Sequence, residues 1–467
     1  MQGTTHSCLG YVRRGLAFWR PRCVLPTRAL RSASTQSKSH DSYDGWPERC
    51  DVLVVGGGAV GSSTAYHLKQ RAGRDLNVVV VERDSTYKRA STALSLGNIR
   101  QQFSVPENVL LSMYSVRFLQ RAAELLAVEG YDPPDLQFTP RGYLFLALQA
   151  GVDQMMENCK MQTELGADVQ CLWPKQLQKK FPWMRVGDVA AAVLGVNNEG
   201  WFDPWSLLTA LRRKALSLGA TYVSGTVTGL HNYEQPTTDN LHHPPASTLT
   251  TATVRLESGE TREMRFSSLV VAAGAWSGAL GNLAGLGGGP GALATAIPVE
   301  PRKRYVYCVH VPDGPWHDCP IFNDYTGVYF RPEFNSNQLY MCGMSPAEED
   351  EPPTEDLEVD HQFFETHMWP VLAQRVPAFE NLKVCSAYAG YYDYNTLDQN
   401  LIIGFHPVYK NMCLATGLSG HGIQQSVAVG RAVTECILDG KCHFINLERF
   451  GFQRILTNQP LKEKMVM

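Results

Sequence analysis

The segment Val52-Leu53-Val54-Val55-Gly56-Gly57-Gly58-Ala59-Val60-Gly61 constrains this chain more than any other. A short Val-rich run bounded by glycine reads as a buried strand. Gly56, Gly58 and Gly61 then fall at G-x-G-x-x-G, and Ala65 and Leu68 continue a helix. Gly56 permits a tight turn, Gly58 lets backbone approach a pyrophosphate, and Gly61 lets the helix pack on the strand. The helix N-terminus, with Ala59 and Val60, then faces the phosphates with its free N–H groups. Residues 77–81 read as a second buried strand, ending at Glu82-Arg83. An acid at that place accepts ribose hydroxyls. The unit predicts a site for NAD or FAD, and the acid disfavours NADP.

The charge divides the chain in two. Residues 1–40 hold seven Lys and Arg and no acid, while the 467-residue whole sums to −3, which leaves −10 for the rest. An Arg-rich, Ser-containing, acid-free start reads as a mitochondrial transit peptide, here residues 1–33, and places the protein in the matrix or on the matrix face of the inner membrane. An acidic body argues against nucleic acid as a partner. No apolar run reaches 18 residues, so no spanning segment is predicted, and peripheral membrane contact stays open. Twelve cysteines are scattered without Cys-x-x-Cys, so neither a zinc site nor a disulfide framework is expected, and no metal ligand set is assigned.

Further segments carry chemistry. Ser91-Thr92 lie in a small polar loop that can reach a phosphate. Asp203-Pro204 read as the N-cap and first position of a helix. Val270-Val271-Ala272-Ala273-Gly274-Ala275-Trp276 reads as a strand running into a turn of small residues. Residues 301–345 read as a β-rich layer. The eight acids of residues 348–360 read as a solvated connection. Near the end, Gly417-Leu418-Ser419-Gly420-His421-Gly422-Ile423-Gln424 sits between a strand and a helix, as a second loop of backbone donors. His421 is either a catalytic base or a turn residue held by backbone. An NAD-dependent dehydrogenase has no role for this loop.

Taken in order, Gly56 to Gly61, Glu82-Arg83, Ser91-Thr92, Ala272 to Ser277 and Gly417 to Gly422 resemble the D-amino-acid oxidase and sarcosine oxidase family of flavoproteins, over about residues 50–440. The resemblance implies an α/β fold: a doubly wound, Rossmann-like FAD-binding domain interleaved with an α+β substrate domain on a mixed or antiparallel sheet. The FAD domain would take residues 50–128, 195–298 and 384–445, and the substrate domain 135–194 and 299–383. Val227 would lie near the adenine, and Ala273, Gly274 and Trp276 near the cofactor. The chemistry implied is hydride transfer from a carbon beside an amine nitrogen of a small amine or amino acid. Residues 199–205, 299–307 and 389–396 are similar to a mitochondrial branch of the family regarded as assembling respiratory complex I. That implies complex I subunits or assembly intermediates as partners.

Departures from the family pattern matter too. Relatives attach FAD through a His where this chain has Leu94, or through a Cys where it has Ala389, so non-covalent FAD is expected. Oxidases of the family carry a Lys where this chain has Gln424, which implies a dehydrogenase with poor use of oxygen. Arg100, Arg302, Lys303, Arg304, Tyr307 and Tyr392 are candidates to orient a substrate or meet its carboxylate, since a guanidinium suits two-point carboxylate contact.

Overall fold

A computed structural model describes residues 45–232, 248–316, 319–334, 336 and 338–464. The basic leader and the Pro- and His-containing stretch at 233–247 lie outside the described residues. Pro47 onward forms one compact unit built on two large sheets.

The first sheet has seven strands. Five run parallel in the order Thr221–Asn232, Val78–Glu82, Arg49–Val55, Thr261–Val271 and Met412–Thr416. Ile402–Phe405 adds an antiparallel edge, and Leu249–Leu256 pairs antiparallel with both Thr221–Asn232 and Thr261–Val271. Val78 to Val81 and Met412 to Thr416 are buried at every position. Unbroken apolar runs are what a parallel strand covered on both faces needs. Helices Ala59–Ala72, Pro106–Gln120, Pro204–Ser217 and Gly422–Asp439 supply Ala65, Leu111, Leu207 and Val429 to the same core. Asp203 caps Pro204–Ser217 as its sequence implied, accepting the Trp205 N–H at 3.1 Å.

The second sheet has eight strands, in the order Lys383–Asn395, Val299–His310, Leu339–Gly343, Tyr329–Pro332, Ile321–Asn323, Tyr143–Ala147, Ala191–Gly195 and Val169–Leu172. All neighbours are antiparallel except Ile321–Asn323 with Tyr143–Ala147, so the sheet is mixed. Its longest pairing runs from Val299↔Asn395 to His310↔Lys383.

Several sequence expectations need correction. Thr221–Asn232 is one strand with a register shift between Val227 and Gly229. The C-terminal helix starts at Gly422, inside the glycine segment that reads as a loop in the sequence. The acidic stretch at 348–360 is not merely solvated. Glu351 takes both Arg304 nitrogens at 2.7 Å, and Asp356 takes Lys303 Nζ at 3.0 Å. The basic run Arg302-Lys303-Arg304 is thereby committed to ion pairs, with Arg302 Nη2 also 2.7 Å from Glu300. Lys303 and Arg302 are structural cations in this setting. Tyr307, offered as an orienting residue, is fully buried in the second core and donates its hydroxyl to the Asp360 carbonyl. Alternation along the strand explains it: Arg304 and Val306 face the first sheet's side, and Tyr305 and Tyr307 join the opposite core. Among the described residues no helix is long and apolar enough to cross a membrane.

Candidate functional site

The two sheets enclose a cavity of about 1060 Å³. That matches the upper end of the roughly 300–1,000 Å³ usual for small-molecule sites, as an extended cofactor plus a substrate would require.

One wall is the first glycine turn. Gly56 has φ +103°, and a Cβ there would lie 2.2 Å from the Ala272 carbonyl oxygen. A Cβ on Gly61 would stand 1.8 Å from the Gly56 carbonyl oxygen, so the helix can approach the turn only without a side chain. Helix Ala59–Ala72 has Gly58 at its N-cap, which offers no side chain, and no acid in its first turn. Its N-terminus therefore keeps partial positive charge for a ligand anion. Glu82 Oε2 accepts the Gly57 N–H at 2.8 Å and Oε1 accepts the Asp84 N–H at 2.9 Å. Each oxygen retains a lone pair for a hydroxyl. Thr92 Oγ1 accepts the Ala59 N–H at 3.1 Å, which places its hydroxyl at the helix start beside Ser91 and Val60. The Arg83 guanidinium lies 3.5 Å over the Trp276 ring, and Val227, Ala273 and Gly274 continue the lining.

The opposite wall is the C-terminal loop. Gly417, Ser419 and Gly420 all have positive φ. Ser419 is held in this unusual state by its hydroxyl, which accepts the Asn395 N–H at 2.9 Å. Gly420 can carry no side chain, because a Cβ would meet the Tyr392 ring at 2.6 Å. Asp393 Oδ2 accepts the Leu418 N–H at 2.9 Å, and burial pushes its pKa up to about 6 against the pull of the loop amides. Helix Gly422–Asp439 then opens on the cavity, again with no acid in its first turn and no side-chain cap. Two such helix starts face one cavity, through Gly58 and Ala59 on one side and Gly422 and Ile423 on the other.

The third wall holds the groups suited to a substrate. Arg100 is buried, with its guanidinium 3.2 Å from His421 Nε2 and 4.2 Å over the Phe103 ring. Gln424 Oε1 accepts the Arg100 backbone N–H at 2.9 Å. Behind this wall and outside the cavity lining, Glu199 accepts the Gln101 N–H and the Gln102 amide, each at 2.7 Å, and burial raises its pKa to about 7. Tyr143, Tyr329 and Tyr392 complete this end. From the far end of the chain, Glu463 accepts the Ser104 N–H at 2.6 Å, the Val105 N–H at 3.2 Å and Asn108 Nδ2 at 2.6 Å. It thereby caps helix Pro106–Gln120, whose own N-cap Val105 has no side-chain donor or acceptor, and it lines the cavity.

Arg100, Tyr392, His421 and Gln424 are thus brought together, while Tyr307 is elsewhere. Of the residues expected at the cofactor, Gly61 and Gly417 shape their turns from behind, and the others line the cavity. Sequence reasoning passed over Asp393, Tyr143, Asn323, Tyr329 and Glu463. Asp393 stood inside a quoted segment, as an acid between tyrosines in a strand, and that oddity was a usable signal. Glu463 gave none, because nothing local marks a cap supplied from more than 350 residues away.

His421 is a neutral group in this place. Burial, and then the Arg100 charge, push its pKa down to about 3. The unfolded imidazole protonates near 6.5, so the unfolded state binds more protons and stability falls as pH drops from 6.5 toward 3. Between pH 7 and pH 5 this one group is expected to remove about 2 kcal/mol. His421→Asn should lose that much less over the same interval, measured by urea unfolding at both pH values. An unchanged pH dependence would refute the neutral assignment.

Comparison with known proteins agrees with this geometry. The model of the family described as FAD dependent oxidoreductase matches residues 51–436. The chain is 50% identical to "FAD-dependent oxidoreductase domain-containing protein 1" of Xenopus laevis, over 90% of this chain and 85% of that one. It is equally identical to the protein of the same name from Bos taurus, over 90% and 88%. Among solved structures, L-proline dehydrogenase from P. horikoshii superimposes with a TM-score of 0.73 at 25% identity, over 89% of this chain and all of that one. The chain belongs to the FAD-dependent oxidoreductase family, and its cofactor is FAD.

Proposed function

We propose that this protein binds FAD non-covalently in the cavity and oxidises the C–N bond of a small amine or amino acid, working as a dehydrogenase. One observation carries the reading: two helix starts without an acid in the first turn open on a single cavity whose third wall holds Arg100. The diphosphate would lie at Gly58, Ala59, Val60, Ser91 and Thr92, and the adenosine along Glu82, Arg83 and Val227. The ring would lie by Ala273, Gly274, Trp276 and the loop Gly417–Ile423. The first sheet would then be the FAD-binding part and the second the substrate part, interleaved along the chain. When bound, FAD supplies the acceptor for a hydride leaving carbon. The chain does the rest. The start of helix Gly422–Asp439 offers backbone N–H groups to developing negative charge. Arg100, whose backbone N–H is held by Gln424, lines the cavity and can hold a substrate carboxylate. The tyrosines exclude water.

Non-covalent attachment is supported by the contact of Leu94 with Gly390. A Cβ at Gly390 would lie 3.1 Å from Leu94 Cβ, so the two loops that carry linkages in relatives meet here without a nucleophile at Leu94 or Ala389. The purified protein should be yellow and release all its FAD on acid precipitation. Flavin retained in the pellet would overturn non-covalent binding, and colourless protein after gentle purification would overturn the enzyme reading. Poor use of oxygen is supported by Gln424, whose amide is spent on the Arg100 backbone and carries no charge. Reduced protein should therefore reoxidise slowly in air.

The cellular role we attach is assembly of respiratory complex I in mitochondria, with its subunits or assembly intermediates as partners. The acid-free basic leader and the likeness of residues 199–205, 299–307 and 389–396 support it. Affinity purification from mitochondria should recover complex I subunits, and recovery of none would remove this role while leaving the FAD chemistry intact.

A further inference from the structure

The loop Gly417–Gly422 is strained where it lines the cavity. Ser419 has φ +47°, between Gly417 at +74° and Gly420 at +94°. Side chains disfavour that region, so a loop of this kind keeps its shape only when its surroundings impose it. Strand Lys383–Asn395 imposes it. Asp393 takes two consecutive N–H groups of the loop. Its Oδ2 accepts from Leu418 at 2.9 Å, and its backbone carbonyl accepts from Ser419 at 3.2 Å. On either side along the strand, the Asn395 N–H donates to Ser419 Oγ at 2.9 Å, and the Tyr392 ring leaves no room for a Cβ on Gly420.

Asp393 is an expensive choice for a clamp. It is only 9% exposed, and burial works against its charge, which the loop N–H groups, Leu418 first, restore. Buried charge is destabilising unless it is well bonded. A carboxylate kept in the wall of a ligand cavity therefore points to a task beyond folding. The division of the loop's donors shows what the task is. Leu418 and Ser419 give their N–H groups to Asp393, and His421 gives its N–H to the Leu418 carbonyl at 2.9 Å. Among the described residues, the N–H groups of Gly420, Gly422 and Ile423 have no acceptor in the chain, and all three residues line the cavity. The clamp fixes the first half of the loop and leaves the donors of the second half for a ligand. Donors held in place in this way favour the ligand state with more negative charge, since they need no reorganisation to meet it.

Resting on the reading that places the flavin ring by this loop, we propose that Asp393 is a positioning residue. It clamps the loop so that the N–H groups of Gly420, Gly422 and Ile423 meet the ring, and thereby sets the preference of the site for reduced over oxidised FAD. It acts through the loop and not through its own charge, which would favour the oxidised form.

The midpoint potential of the yellow holoprotein tests this. It is measured by equilibration with a redox dye at about pH 8, where the carboxyl is ionised, since burial raises its pKa only to about 6. Asp393→Asn and Asp393→Ala are both neutral, so a difference between them reports the acceptor and not the charge. Asp393→Asn keeps an oxygen for the Leu418 N–H, and Asp393→Ala has none. Asp393→Ala should prefer reduced FAD about tenfold less than Asp393→Asn, a potential roughly 30 mV lower for a two-electron couple. Equal potentials in the two overturn the proposal, even with both proteins less stable, because a merely structural clamp would behave so. If Asp393→Ala does not retain flavin, Asp393→Glu decides. It keeps the charge but moves the acceptor by one methylene, and its potential should lie below that of the wild type; the wild-type value would then overturn the proposal. A wild-type potential equal to that of free FAD is a separate result, which sinks the underlying placement of the ring by the loop.

Discussion

Gly61→Ala is expected to purify without its flavin. The added Cβ would lie 1.8 Å from the Gly56 carbonyl oxygen, 3.0 Å from the Gly56 carbonyl carbon and 3.2 Å from Val54 Cγ1. The first two are backbone atoms of the turn, and no rotamer change relieves them. Either the helix retreats from the strand or the turn opens. Overpacking of this kind costs about 1–3 kcal/mol in stability. The larger effect falls on the cofactor, because both outcomes displace the N–H groups of Gly58 and Ala59. FAD affinity should drop at least about a hundredfold, or ~3 kcal/mol. Gly288→Ala is the control, since a Cβ there meets nothing within 4 Å. The readout is the FAD-to-protein ratio after gel filtration. A stoichiometric yellow Gly61→Ala protein would refute the phosphate assignment of this turn.

The second large effect concerns stability. Arg454 and Asp398 are buried at 6% and 3% exposure, and Arg454 Nε lies 2.7 Å from Asp398 Oδ2. Arg454 also donates to the Asn400 and Leu401 carbonyls, at 3.1 and 2.9 Å. Asp398 in turn accepts Asn395 Nδ2 at 2.8 Å and the Leu461 N–H at 2.9 Å. The pair therefore ties the end of the second sheet's long strand to the C-terminal tail, beside the cavity. Arg454→Met keeps most of the volume but leaves a buried carboxylate without its cation, which destabilises by about 3–5 kcal/mol. A lower thermal midpoint, with flavin released at the same temperature as unfolding, is the expected result. Arg454→Met combined with Asp398→Asn should recover part of the loss. A single variant within 1 kcal/mol of wild type, by urea unfolding, would show that the pair is dispensable.

Much of the first sheet was legible because its signals are local. Val52 to Gly61 carries strand, turn and helix in ten consecutive residues, and Glu82 follows at the end of the next Val run. The strands Val78–Glu82 and Met412–Thr416 are buried on both faces, so their composition alone marked them. The substrate wall was less legible for a physical reason. Tyr307 and Arg304 lie on one strand, three residues apart, and only the alternation of faces decides which of them reaches the cavity. Sequence gives the alternation but not which face is inward. Lys303 was misjudged for a related reason: its acidic partner is Asp356, and an ion pair so distant along the chain leaves no spacing rule. Asn323 was invisible, because an asparagine ending a short strand is ordinary until the cavity is seen to reach it.

The order of strands in the first sheet has a consequence for how the chain reaches this state. Arg49–Val55 pairs with Thr261–Val271, which pairs in turn with Met412–Thr416. The middle of the sheet is thus assembled from segments that emerge in succession along nearly the whole chain, and the helix cap at Ser104 waits for Glu463. Contacts of such long sequence separation make for slow folding and prolonged exposure of strand edges. Thr221–Asn232, Val78–Glu82, Arg49–Val55 and Thr261–Val271 can pair before Met412–Thr416 is made. The open edge of Thr261–Val271 must stay protected until Met412–Thr416 emerges, which makes the nascent chain a natural client for chaperones.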